Sequence, residues 1–199
     1  MSQQHFQTRI SNEDSAKLPP LVFEGEIIIV DKEEQIAAAC NDIARYPILG
    51  FDTETRPSFK AGVHYKVALL QISTPIKSYL FRLNKIPLAR EILSILERKD
   101  IIKLGADVLG DLRALKQLRN FKENSFIDLQ KIIGEWGIEE KSLRKMSALV
   151  LGYRISKAQR LSNWEASTYT PQQMQYAATD AWACIEIYNR LQQTKKVTK

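Results

Sequence analysis

Apolar residues recur along this chain with two different periods, and the period switches several times. Apolar or alternating runs predict strands at 25–31 (GEIIIVD), 48–54 (ILGFDTE), 66–74 (KVALLQIST), 78–83 (SYLFRL) and 100–106 (DIIKLGA). Helical spacing predicts helices at 32–45 and 87–98, and then at 107–119, 128–135, 142–150 and 171–193. Three consecutive strands, followed by a helix, a strand and more helices, predict an α/β fold: a mixed sheet flanked by helices. Residues 1–24 are mostly polar, close on KLPPLVF, and are expected to form a flexible arm. Residues 25–193 then make one domain of ordinary size, and the basic tail 194–199 is expected to fray.

Composition narrows the class. At 44% hydrophobic the chain of 199 residues can bury a core and lacks the signature of disorder. Its 29 Lys and Arg against 23 Asp and Glu give a net +6, which suits a polyanionic partner without establishing one. Two cysteines, Cys40 and Cys184, are too few for a disulfide framework and have no metal-ligand spacing. A reducing setting is expected: cytoplasmic, or nuclear in a eukaryote. The start has no apolar signal core, and no apolar run approaches the roughly 18 residues of a membrane span. A soluble protein with no membrane partner is expected, and the pattern carries no signal of oligomeric state.

The candidate chemistry lies in three acidic patches. On the 48–54 strand, a period of two puts Ile48, Gly50, Asp52 and Glu54 on one face and Leu49, Phe51 and Thr53 on the other. Taken alone, such a D-x-E reads as an ordinary strand end. In LGADVLGDLRALKQL, Asp107 reads as a helix N-cap, while Asp111 aligns with Leu115 and Leu118 beside the apolar stripe. In TYTPQQMQYAATDAWA, Thr170, Pro171 and Gln173 read as N-cap, first-turn proline and capping-box partner. Tyr176 and Asp180, four apart, share a face of the helix that follows. Ala177, Ala178, Ala181 and Ala183 would let that helix approach a sheet closely and bring Asp180 next to Asp52. Four carboxylates gathered this way repel one another unless cations fill the space between them. An all-oxygen ligand set selects Mg²⁺ or Mn²⁺ over zinc, and two such ions about 3.5–4 Å apart suit in-line phosphoryl displacement.

These motifs resemble those of the DEDD 3′–5′ exonucleases. That family carries a D-x-E, a second-motif Asp and a third motif of Y-x(3)-D or H-x(4)-D. Here they read Asp52-Thr53-Glu54, Asp111, and Tyr176 to Asp180. The tyrosine form matches the DEDDy branch, which includes the Werner-syndrome exonuclease domain and ribonuclease D. The resemblance covers about residues 26–193 and implies a ribonuclease H-like fold, a mixed five-stranded sheet flanked by helices. It implies a two-metal 3′–5′ exonuclease that shortens DNA or RNA from the 3′ end, releasing nucleoside 5′-monophosphates. One ion would be held by Asp52, Glu54 and Asp180, the second by Asp52 and Asp111, with Tyr176 orienting the attacking water. A catalytically inert nucleic-acid-binding module is the alternative.

Nucleic-acid contacts are expected from two basic, aromatic segments, 55–66 and 153–164. The candidates are Thr53, Lys66, Lys157, Arg160 and Trp164. Trp164 also fits the core. Thr53, turned away from the carboxylates, is expected to matter least of the D-x-E side chains to chemistry. His64 reads as a surface loop residue and Cys184 as helix packing.

Overall fold

A computed structural model describes residues 6–197. Its elements run in the order α1 (Asn12–Lys17), β1 (Glu26–Val30), α2 (Ile36–Ile43), β2 (Ile48–Thr55), β3 (Val67–Ser73), β4 (Lys77–Phe81), α3 (Arg90–Glu97) and β5 (Ile102–Gly105). Then follow α4 (Val108–Lys116), β6 (Phe126–Asp128), α5 (Leu129–Ile132), α6 (Leu143–Leu151) and α7 (Pro171–Gln192). Among the described residues the strands form one mixed sheet in the order β1-β4-β3-β2-β5-β6. β2, β3 and β4 are an antiparallel meander, while β1, β5 and β6 pair in parallel with β4, β2 and β5.

The sheet therefore has six strands rather than five. The additional strand, β6, is only three residues long and starts inside the stretch that precedes the expected 128–135 helix. Its pairing with β5 is a long-range choice that no local period reveals. The other expected elements form within a few residues of their predicted bounds.

The alternation on β2 sorts its side chains into two layers. Leu49 and Phe51 are fully buried in a core with α2, α3 and α4. On the other face lies α7. A Cβ at Gly50 would sit 1.9 Å from the carbonyl oxygen of Ala181, so only glycine lets the helix pass this close. Ala177, Ala178, Ala181 and Ala183 are all fully buried. α7 begins as its sequence predicts: the Thr170 hydroxyl accepts from Gln173 N at 3.1 Å, and the Gln173 side chain accepts from Thr170 N at 3.0 Å.

The described part of the lead-in contains a short helix and touches the domain. Residues 1–5 lie outside the described residues, but 12–17 form α1, and Phe23 is buried against Trp182 with ring centroids 5.5 Å apart. Phe23 N donates to the Thr179 hydroxyl at 3.1 Å, and Leu21 N donates to the Arg154 carbonyl at 2.8 Å. The apolar end of the arm supplies the reason, since burying Phe23 on α7 orders the backbone that carries it. The tail, described to residue 197, also packs: Trp136 Nε1 donates to the Thr194 carbonyl at 3.0 Å, and Lys196 lies over the Trp136 ring. No helix among the described residues is long and apolar enough to cross a membrane.

Candidate active site

Gly50 faces α7, so the strand period turns Asp52 and Glu54 toward α7 as well. Asp180 projects from α7 to meet them. Carboxylate oxygens of Asp52, Glu54 and Asp180 all lie within 4.8 Å of one another. This is the convergence that the alanine-rich face predicts. Asp111 reaches the same region from α4, on the opposite side of the sheet, and is not among the three that share that spacing. The fourth carboxylate thus adjoins the cluster from across β2.

Thr53 explains how. Its hydroxyl points to the α4 side and donates to Asp111 Oδ1 at 2.6 Å. Thr53, expected to matter little to chemistry and grouped with the nucleic-acid contacts, thus has a bond to a motif carboxylate that no local pattern shows. Asp107 also departs from expectation. It stands at the N-cap position of α4 but has a φ of 69° and no side-chain cap bond. Its backbone N–H donates instead to Asp128 Oδ1 at 3.4 Å, and Asp128 caps α5 through Gln130 N.

The electrostatics of the cluster follow from burial and like charge. Burial, then the Asp180 charge, holds Asp52 well above the ordinary carboxylate range. Burial, followed by the charges of Asp52, Asp180 and Asp111, pushes Glu54 to about 10. Asp111 rises to about 9, mainly by burial and then by the Asp52 charge. Asp180 rises to about 7 by burial, with Tyr176 and the Arg144 charge holding it lower than its neighbours. Left to themselves these carboxyls hold protons, and divalent cations can take the place of those protons. One oxygen each of Asp111 and Asp180 is buried without a hydrogen-bond partner among the described residues. An all-carboxylate set with oxygens in reserve fits Mg²⁺ or Mn²⁺.

Tyr176 stands beside Asp180, and burial and the Asp180 charge raise its phenol far above its usual value. It is therefore a neutral donor rather than a base. Trp164 packs on it at 6.0 Å and on Tyr169 at 5.5 Å, and is fully buried. Of the two readings of Trp164, this burial is the core one, with the indole bracing Tyr176 from within. Lys66, Lys157 and Arg160 are exposed, as a nucleic-acid contact requires. Lys157 and Arg160 line a cleft of about 380 Å³ that ends on Tyr176 and Asp180, whereas Lys66 does not line it. Arg144 and Lys145 line the same cleft. Both escape sequence reasoning, because they sit on an amphipathic helix with no motif around them. Cys184 is buried in α7, as expected of packing, and His64 lies exposed in the loop after β2.

The 3′–5′ exonuclease family model matches residues 27–195. This chain belongs to that family. It is 34% identical over 186 residues to the mouse bifunctional 3′-5′ exonuclease/ATP-dependent helicase WRN, covering 87% of this chain and 13% of that protein. It is also 34% identical over 157 residues to the exonuclease 3′-5′ domain-containing protein 2 of Drosophila melanogaster, covering 76% of this chain and 26% of the relative. The chain thus spans a small part of these relatives. The crystal structure of the Aedes aegypti Nibbler EXO domain superposes with a TM-score of 0.76 at 21% identity, covering 96% of this chain and 92% of that one. That likeness establishes the shared ribonuclease H-like fold.

Proposed function

We propose that this member of the exonuclease family is catalytically active. In this reading it is a DEDDy-type, metal-dependent enzyme that hydrolyses nucleic acid stepwise from the 3′ end to nucleoside 5′-monophosphates. The observation that carries the reading is the meeting of Asp52, Glu54 and Asp180 within 4.8 Å. A half-buried cluster of like charge is destabilising unless cations occupy it, and all four motif carboxylates are present. An inert module would have no use for such a cluster.

Asp52, Glu54 and Asp180 would hold one divalent ion, and Asp52 with Asp111 a second. Bound cations of this kind lower the pKa of water and neutralise charge on a reacting phosphate. Thr53 fixes the carboxyl of Asp111 on the far side of β2. Tyr176, a neutral phenol whose hydroxyl hydrogen-bonds Asp180 here, would turn its one O–H to the attacking water when a cation takes the Asp180 carboxylate. Arg144, Lys145, Lys157 and Arg160 present cations to the phosphates of the bound strand along the adjoining cleft.

The test uses matched DNA and RNA oligonucleotides, labelled at the 5′ end, with Mg²⁺ or Mn²⁺. A ladder shortening from the 3′ end is expected, and a circular single strand should resist. Asp52→Asn should lower the rate by about 10²- to 10³-fold, the scale of losing an electrostatic group from a reaction site, while leaving the circular dichroism spectrum unchanged. Wild-type rates in Asp52→Asn would remove this site from the chemistry.

A further inference from the structure

β3 is buried along its whole length, and its sequence VALLQIS is apolar except at Gln71 and Ser73. Ser73 has a partner, the Ser78 hydroxyl at 2.8 Å. Gln71 does not: it is 0% exposed, and neither Nε2 nor Oε1 has a hydrogen-bond partner among the described residues. A buried amide without partners destabilises the fold, and an apolar side chain of similar length would remove that penalty. Local packing therefore gives no reason for a glutamine here.

The strand register does. Gln71 lies directly opposite Asp52 in the antiparallel β2–β3 pair, and directly opposed residues project to the same face of a sheet. That face is the one covered by α7, from which Asp180 projects with its own buried, unpartnered Oδ1. A buried neutral amide and the half-buried acidic cluster thus share one face of the sheet.

We propose that Gln71 is a positioning residue for the cluster: its Nε2, without a partner here, turns to donate to the Asp52 carboxylate across the strand pair once that carboxylate holds a cation. This rests on the metal-dependent reading above. A neutral donor fixes the direction of a ligand carboxylate and leaves its other lone pairs to a cation, without adding a fifth charge. Groups that orient metal ligands in this way set affinity by about 10- to 100-fold.

The experiment is Mn²⁺ titration of the full chain, read by electron paramagnetic resonance of free Mn²⁺, with the melting temperature measured in EDTA alongside. Gln71→Met keeps the length and removes the amide; Gln71→Asn keeps an amide but withdraws it by one methylene. Both should weaken Mn²⁺ binding about tenfold or more. Gln71→Met should melt in EDTA no lower than wild type, a result that a purely structural glutamine would not give together with weakened binding. Should Gln71→Met fail to fold, Gln71→Asn carries the test. Mn²⁺ affinity within twofold of wild type in the folded variants overturns the proposal. A wild-type chain that takes up no Mn²⁺ overturns the metal reading itself, and this one with it.

Discussion

The Thr53 hydroxyl donates to Asp111 Oδ1 from the face of β2 turned away from Asp52 and Glu54. It ties the α4 carboxylate to the strand that carries the other two. Thr53→Val keeps the branched shape and deletes the donor, which leaves Asp111 with both oxygens unpartnered, since Oδ2 already has no partner among the described residues. We expect the exonuclease rate to fall about tenfold, at the lower end of losses from orienting groups, and Thr53→Ser to restore most of it. An equally active Thr53→Val, measured under saturating Mg²⁺, would show that the bond is incidental. Residue spacing made Asp52, Glu54, Tyr176 and Asp180 legible, because a strand period and a helix turn fix which side chains share a face. Thr53, Gln71 and Arg144 were not legible. Each faces groups of another element, and only the packing of layers decides which groups those are.

Elements meet at this site because one contact is unusually close. α7 crosses β2 at Gly50, where a Cβ would lie 1.9 Å from the Ala181 carbonyl oxygen and 2.6 Å from its carbonyl carbon. Both atoms are backbone, so no side-chain rotation can relieve the clash and the helix itself must shift. Gly50→Ala should cost about 3 kcal/mol, the upper range for overpacking, or roughly 6–12 °C in melting temperature for a chain of this size. Asp180 moves with α7, so Mn²⁺ binding should weaken as well. Gly134→Ala is the control, since its Cβ would approach only Lys141 Nζ, at 3.9 Å; equal losses in the two variants would sink the explanation. The sequence announced α7 clearly, through its capping box, its first-turn proline and its alanines. It did not announce β6, whose three residues carry too little pattern to show a strand before they are seen pairing with β5. Nor did it announce the packing of residues 18–23, whose polar neighbours masked the anchoring role of Phe23.

At the scale of the whole molecule, a chain with net charge +6 folds around a cluster of acids. Basic side chains in the adjoining cleft suit a polyanion, while the cluster itself suits cations, and the two are coupled through protons. Glu54 and Asp111 rise from their ordinary values to about 10 and about 9, and Asp180 to about 7. Between the ordinary carboxylate range and those values the folded chain binds more protons than the unfolded one. Stability contributed by these groups is therefore full at acid pH and is lost as pH rises toward the folded values. Divalent cations compete for the same oxygens and bind the deprotonated form, so their grip should strengthen as pH rises. The rise in melting temperature caused by a fixed millimolar Mn²⁺ concentration should accordingly be small at pH 5 and grow steadily to pH 8. Were the concentration to reach 100 times Kd, the gain would be about 2.7 kcal/mol. In Glu54→Gln, which removes one of the competing protons and one ligand, both the gain and its pH dependence should shrink. A Mn²⁺ shift that is the same at pH 5 and pH 8 would mean that protons and metal do not share the cluster, and that its raised carboxyls serve some purpose other than holding ions.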